Sequence, residues 1–388
     1  MKTLLYPRLT APLLVSLSEQ DCRGSEDNQG VNIRCKKTQT DPTPVCSICR
    51  PEISLPLHLK SSGSDMSGEL SLSTGADSLR ETGATPGIYD LKMQIGNCTF
   101  VEPHAVRLFN QIPAEYTFCL LTDFHLYPPY TSFPFRLSVA HVRKCLAQAM
   151  QLRPEFLLFC GDVSSLIFFY PWSVAAMRRL LIEEVSCPVF FVPGNHDGYL
   201  FRLAGLTWWD GWVYWQQHLG PLYQSFDFGQ DHFIGLNTFD WQPARRNIFS
   251  RAEFLTFRFR LGAFISDEQI RWLERDISEA RKREQRIFFF LHHSPLHSQF
   301  FRPNGQTLKG TWEGTNRERV LELICESHAV AVFCGHQHYT AMETWEGIPF
   351  FLTASSASYN EPGFDYAFKK ITIRNGVLAS VETIPFQI

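Results

Sequence analysis

The chain has 388 residues, more than most single domains contain, which favours two domains. Its net charge of -3 gives no reason to expect a nucleic-acid or an anionic-membrane partner, and 44% hydrophobic residues allow a large core. No apolar stretch reaches the roughly 18–20 residues that span a bilayer, so no membrane span is predicted. The N-terminus lacks a clear signal peptide, and Cys119, Cys160 and Cys334 lie in apolar runs typical of free thiols. These features favour the cytoplasm.

Residues 1–115 are rich in Pro, Ser, Gly and Thr, with short β-like runs such as ISLPLHLKS. They predict a small β-rich domain of the Ig-like sandwich type, partly disordered near residues 22–42. Cys46-x-x-Cys49 could bind zinc together with Cys22 and Cys35, but the irregular spacing favours free thiols. No motif in this segment identifies a protein partner.

From residue 116 onward, short apolar runs alternate with helical patterns, which predicts an α/β core. The predicted strands are Tyr116–Leu121, Phe156–Cys160, Pro188–Val192, Ile287–Leu291 and Ala329–Cys334. Helices are predicted over Ser138–Leu152 and over Ser266–Arg281, where Ser266 and Gln269 fit a capping box. A hairpin is predicted over residues 224–236.

A polar motif follows each of the five predicted strands. Because ligand sites gather at the carboxyl ends of strands in α/β sheets, the five motifs are expected to converge. In chain order they are Asp123-Phe124-His125, Gly161-Asp162, Gly194-Asn195-His196-Asp197, His292-His293-Ser294-Pro295 and Gly335-His336-Gln337-His338. Mixed oxygen and nitrogen ligands of this kind suit a pair of Mn, Fe or Zn ions better than Mg or Ca.

The order D-x-H, G-D, G-N-H-D, H-x-P, G-H-x-H resembles the calcineurin-like metallophosphoesterase superfamily. The stretch GPLYQSFDFGQDHFIGLNT also resembles its cyclic-nucleotide-phosphodiesterase-like branch. The resemblance covers residues 116–388 and implies a four-layer αββα sandwich, joined to the smaller N-terminal β-sandwich-like domain.

The resemblance also implies a role for each motif residue. Asp123, His125 and His338 are expected to hold the first metal ion, Asn195, His293 and His336 the second, and Asp162 to bridge both, while His196 stabilises or protonates the phosphoryl group. Ser165 replaces the acid or tyrosine that many relatives carry three residues after the bridging aspartate, which argues against the purple acid phosphatase type.

The stretch LHHSPLHS offers three histidines for one ligand position. His293 lies two residues before Pro295 and matches H-x-P. On an extended chain His292 should point the other way, and it would replace His293 only if the strand carries a bulge. His297 lies beyond the strand end, where it could meet substrate or only water.

The implied reaction is hydrolysis of a small-molecule phosphomonoester or phosphodiester by metal-bound hydroxide, without a protein nucleophile. Two alternatives stay open: a 3',5'-cyclic-nucleotide phosphodiesterase, and a catalytically weak scaffold with the same fold. The sequence does not decide the metals, the substrate or the oligomer. It also leaves open the roles of a Trp-rich insert, in which Trp208, Trp212 and Trp215 fit one helix face, and of an Arg-rich insert at residues 245–260.

Overall fold

The computed structural model describes a layered α/β core and an N-terminal group of strands. The described residues are 13–16, 31–36, 45–50, 53–57, 60–64, 69–74, 85–95, 98–126, 139–165, 170–250, 262–296, 312, 316–357, 360 and 363–386. His297 lies outside them.

The N-terminal strands form two sheets. Their bounds are β1 Leu13–Ser16, β2 Val31–Lys36, β3 Val45–Arg50, β4 Ile53–Leu57, β5 Lys60–Ser64, β6 Glu69–Thr74, β7 Gly87–Ile95 and β8 Cys98–Phe109. One sheet has the order β1-β8-β7-β3-β4 and the other the order β2-β6-β5. The β-rich prediction is therefore confirmed for the described strands. β2 lies within the range predicted to be disordered, while the domain boundary at residue 115 stays a prediction.

A five-stranded mixed sheet opens the α/β core at residue 115. Its strands are β9 Glu115–Leu121, β10 Leu157–Cys160, β11 Val189–Val192, β20 Ala367–Arg374 and β21 Val377–Pro385. β9, β10 and β11 are parallel, and β20 joins β9 in the antiparallel sense. Three helices accompany this sheet: α1 Val139–Gln151, α2 Tyr170–Glu184 and α3 Gly211–His218.

A six-stranded mixed sheet lies opposite, with the order β14-β15-β16-β17-β19-β18. Its strands are β14 Gln224–Phe228, β15 Asp231–Leu236, β16 Arg286–Leu291, β17 Ala331–Cys334, β18 Ala341–Trp345 and β19 Ile348–Leu352. The remaining elements are the β12 Leu200–Leu203 and β13 Leu206–Asp210 hairpin, the short helix α4 Pro243–Arg246, a 3-10 turn at Ile248–Ser250, α5 Asp267–Lys282 and α6 Asn316–Glu326. No helix among the described residues is long and apolar enough to cross a membrane.

Three apolar cores separate four layers. The central core joins the two sheets: Phe118 of β9 packs edge-to-face on Phe233 and Phe333 of the opposite sheet, with ring centroids 5.4 and 5.8 Å apart. Because side chains alternate along a strand, Cys119 and Leu121 face outward into a second core beneath α1 and α2. A third core lies beneath α5 and α6. The αββα prediction is confirmed.

β8 contacts the α/β core through two ion pairs. Glu102 accepts a bidentate contact from Arg178 of α2, whose Nη2 lies 2.8 Å from Glu102 Oε2. Arg107 pairs with Glu155, two residues before β10 begins. β8 is therefore tied to α2 and to the segment that precedes β10.

The start of α5 was predicted correctly, although only half of the capping box forms. Ser266 Oγ accepts a hydrogen bond from the Gln269 amide at 3.3 Å. The Gln269 side chain is fully buried and bonds instead to the backbone of Asn237 and to Asp240. Gln269 therefore ties α5 to the end of β15.

The prediction that Trp208 shares a helix face with Trp212 and Trp215 is wrong. Trp208 lies in β13 and is 63% exposed, whereas the other two are buried in α3. Asp210 explains the difference, because its side chain accepts from the Trp212 amide at 3.0 Å and starts the helix only at Gly211.

A buried histidine ties the β14–β15 hairpin to α5. His232 Nδ1 lies 2.5 Å from Asp227 Oδ1, and Nε2 lies 2.9 Å from Asp276 Oδ2. Burial alone would lower the pKa of His232, but the hydrogen bonds to Asp227 and Asp276 outweigh it and raise the pKa from 6.5 to about 9. The imidazolium is therefore favoured in the folded chain.

We expect His232→Gln to lower the free energy of unfolding by about 3 kcal/mol at pH 6. Because the folded pKa is raised, the contribution is complete below about pH 6.5 and is lost as the pH rises through about 9. Urea unfolding at pH 6 and pH 9.5 measures it, with the exposed His328→Gln as control. A destabilisation of equal size at both pH values would contradict this assignment.

Candidate metal centre

The five motifs converge at the carboxyl ends of β9, β10, β11, β16 and β17. Parallel pairing sets this arrangement, because β10 lies between β9 and β11, and β16 lies beside β17. The loops also bond to one another: the Asp123 amide donates to Gly161 O at 3.0 Å, and the Gly335 amide donates to His292 O at 3.1 Å. The sequence-predicted site residues are therefore brought together.

Five of the predicted site residues have left-handed backbone. Their φ angles are 55° at Asp123, 45° at His125, 57° at Asp162, 70° at His336 and 54° at His338. Side-chain-bearing residues seldom adopt this region, and such strain concentrates at functional sites. Gly194 permits the close approach of two loops, because a Cβ there would lie 2.2 Å from Asp162 Oδ1.

Two clusters of potential ligand atoms flank Asp162. Asp123, His125 and His338 form the first cluster, and their ligand atoms lie within 4.8 Å of one another. The second cluster comprises His292, His293 and His336. Asp162 Oδ2 lies 3.6 Å from His125 Nε2 and 3.2 Å from His292 Nε2, so one carboxylate oxygen reaches both clusters.

The expectation that His292 points away from the site is wrong. The chain bends at His292 and His293 directly after β16, so the alternation of an extended strand does not apply. His292 Nε2 lies 3.2 Å from both Asp162 Oδ2 and His336 Nδ1, and its Nδ1 lies 2.6 Å from Cys160 O. His293 also faces the site, with its Nδ1 2.8 Å from Thr238 Oγ1.

The buried polar atoms in the centre that have no hydrogen-bond partner among the described residues include Asn195 Oδ1 and His293 Nε2. A buried polar atom without a partner is costly, and metal coordination removes that cost. In His292 and in His293 the Nδ1 atom lies within hydrogen-bonding distance of a protein oxygen. Metal-binding histidines commonly use their second ring nitrogen in this way. The donor set therefore fits metal ions.

The electrostatics favour cations at the centre. Burial would raise the pKa of Asp123 and Asp162, but nearby histidines, His338 and His292 foremost, lower both well below the ordinary value. Burial lowers the pKa of His125 to about 4 and of His336 to about 3. Carboxylates and neutral imidazoles are the protonation states that metal binding requires.

His292 differs from the other histidines. Burial would lower its pKa, but Asp162 and Asp123 raise it to about 9. Two buried carboxylates therefore draw positive charge to this position.

Asp197 and Ser165 organise the loops in ways that the sequence did not indicate. The buried Asp197 accepts from the amides of Asp162 at 2.7 Å, Gly194 at 2.9 Å and Ser164 at 3.1 Å. It thereby joins the Asp162 loop to the Asn195 loop. His196 Nδ1 lies 2.9 Å from Ser165 O, so a backbone carbonyl orients the ring.

This arrangement of loops on a four-layer sandwich is that of a calcineurin-like phosphoesterase, and the chain belongs to that family. The family profile matches residues 116–340, more than half of the chain.

Several known proteins are similar to this chain. The serine/threonine-protein phosphatase CPPED1 of Mus musculus is 25% identical over 53% of this chain and 59% of its own length. The glycerophosphodiester phosphodiesterase GpdQ of Enterobacter lignolyticus is 25% identical over 49% of this chain and 58% of its own length. The chain thus spans less than two thirds of these relatives.

A solved structure shares the fold over most of the chain. The purple acid phosphatase PPD1 from yellow lupin (Lupinus luteus) has a TM-score of 0.54 and 12% identity, covering 98% of this chain and 74% of its own.

Proposed function

We propose that this protein hydrolyses a phosphoester bond of a small molecule with two metal ions held at the candidate metal centre. The position of Asp162 carries the proposal. Its buried Oδ2 lies within 3.6 Å of His125 Nε2 in one cluster and 3.2 Å of His292 Nε2 in the other. A single carboxylate between two donor clusters is the arrangement that a bridged pair of cations requires.

Each cluster would hold one ion, and Asp162 would contact both. We assign Asp123, His125 and His338 to the first ion, and Asn195, His292 and His336 to the second. His292 is preferred over His293 because its Nε2 lies 3.2 Å from Asp162 Oδ2 and 3.2 Å from His336 Nδ1. His293 stands beside this group as a further donor.

Three oxygen-bearing side chains and four imidazoles together suit manganese, iron or zinc. When bound, a pair of such ions lowers the pKa of water and neutralises the charge of phosphoryl oxygens.

Backbone and side-chain groups of the chain position the reacting groups. Ser165 O accepts from His196 Nδ1–H, so Nε2 donates to a phosphoryl or leaving-group oxygen when the ring is the imidazolium. Asp197 accepts hydrogen bonds from the backbone amides of Asp162 and Gly194. It therefore holds the Asp162 carboxylate in a fixed position relative to the side chain of Asn195. Asp197 touches no reacting atom and acts as a positioning residue.

A substrate panel tests the proposal. The manganese-loaded protein is assayed with p-nitrophenyl monoesters, bis-p-nitrophenyl phosphate, a glycerophosphodiester and 3',5'-cyclic nucleotides. We expect hydrolysis of at least one ester class, and the ratio of diester to monoester turnover assigns the subclass. The absence of turnover on every substrate, with metal bound, would contradict a hydrolytic role.

A further inference from the structure

The hairpin of β12 and β13 exposes an unusual set of apolar side chains. Seven large hydrophobic side chains are exposed in the described part of the chain, and four of them lie within residues 203–213. Leu203 is 48% exposed, Leu206 68% and Trp208 63%. Leu203 and Leu206 pair across the Ala204-Gly205 turn, so they stand together at the tip of the hairpin.

The base of the hairpin is firmly anchored. Phe201 stacks on Trp209 at 4.3 Å and meets the Phe249 ring edge-on at 4.4 Å. The buried Arg246 donates to Gly198 O at 2.5 Å and makes a bidentate pair with Asp210. Gly198 follows the loop of Asn195 and His196 directly, so the tip projects from a base fixed to the candidate metal centre.

The charge around the tip is positive although the whole chain is acidic. Residues 198–209 and 241–250 contain no Asp or Glu, but they contain Arg202, Arg245 and Arg246. Arg202 and Arg245 are exposed, while Arg246 neutralises Asp210. Asn247 joins the two segments, because it bonds to both backbone groups of Arg202 at 3.1 Å.

We propose that this hairpin binds the surface of an anionic phospholipid bilayer, with Leu203, Leu206 and Trp208 in the interfacial layer and Arg202 and Arg245 at the headgroups. Leucines at a protruding tip, a tryptophan behind them and arginines flanking both are the combination that membrane interfaces favour. A narrow two-residue turn also offers little area to a protein partner. The inference goes beyond the proposed hydrolysis, because it concerns the surface to which the protein and its candidate metal centre are bound.

Vesicle sedimentation with the full chain tests the inference. We expect binding to vesicles containing roughly one third phosphatidylglycerol and much weaker binding to pure phosphatidylcholine. Leu206→Asp should weaken binding about tenfold or more, and Arg202→Gln should weaken it only on the anionic vesicles. The matched control is Val377→Asp, which changes a side chain 64% exposed on β21 and should bind like the wild type.

Three outcomes would overturn the inference. The first is no sedimentation with either vesicle, and the second is an equal loss in Val377→Asp. The third is a concentration-dependent dimer that Leu206→Asp dissolves without any vesicle binding, because the tip would then serve a second copy of the chain. Hydrolysis of a water-soluble ester should be unchanged in Leu206→Asp, so vesicle binding and the proposed activity are tested separately.

Discussion

Asp162→Asn is expected to lower phosphoester hydrolysis by about four orders of magnitude while leaving the fold intact. The asparagine removes the negative charge and one of the two carboxylate oxygens between the clusters. The fold should survive because the backbone amide of residue 162 still donates to Asp197. Turnover of the best substrate and thermal unfolding measure the two effects separately.

Asp231→Asn is the matched control. Asp231 is 1% exposed, but it lies at the start of β15, where Tyr116 Oη donates to it at 2.7 Å and Arg286 pairs with it at 2.6 Å. This variant should lose stability and keep its turnover per folded molecule. If Asp162→Asn retained wild-type turnover, the bridging role would be wrong.

The two adjacent histidines should respond differently to substitution. We expect His292→Ala to lower activity by about a thousandfold and to reduce the metal content, because its Nε2 lies between Asp162 and His336. His293→Ala should lower activity less, by about ten- to a hundredfold, because His293 is a further donor beside the ligands assigned to the second ion.

Metal analysis and turnover of both variants, each checked for folding by circular dichroism, distinguish the two histidines. A larger loss of bound metal in His293→Ala would restore the assignment that the H-x-P pattern implied.

The sequence predicted the parts of the centre that depend on strand ends. Continuous apolar runs located β9, β10, β11, β16 and β17, and the polar residues behind them converge because parallel strands share their carboxyl edge. The structure places Asp123, Asp162 and His338 at these strand ends, while their roles as metal ligands stay predictions.

Backbone geometry explains what the sequence did not predict. His292 faces the site because the chain bends after Leu291, and a bend has no hydrophobic period. Ser165 orients His196 through its carbonyl, which every residue possesses, so its side chain gave no signal. The spacing of Trp208, Trp212 and Trp215 suggested one helix. Trp208 is exposed instead because the chain turns at Ala204-Gly205 and continues as strand β13.

Metal content coupled to turnover tests the central claim most directly. The purified chain is stripped with a chelator, reloaded with manganese, iron or zinc, and analysed by elemental mass spectrometry alongside hydrolysis of its best substrate. We expect about two ions per chain, no turnover in the stripped protein, recovery on reloading, and reduced uptake in Asp162→Asn. Full turnover in the metal-free chain, or undiminished uptake in Asp162→Asn, would contradict a bridged metal centre.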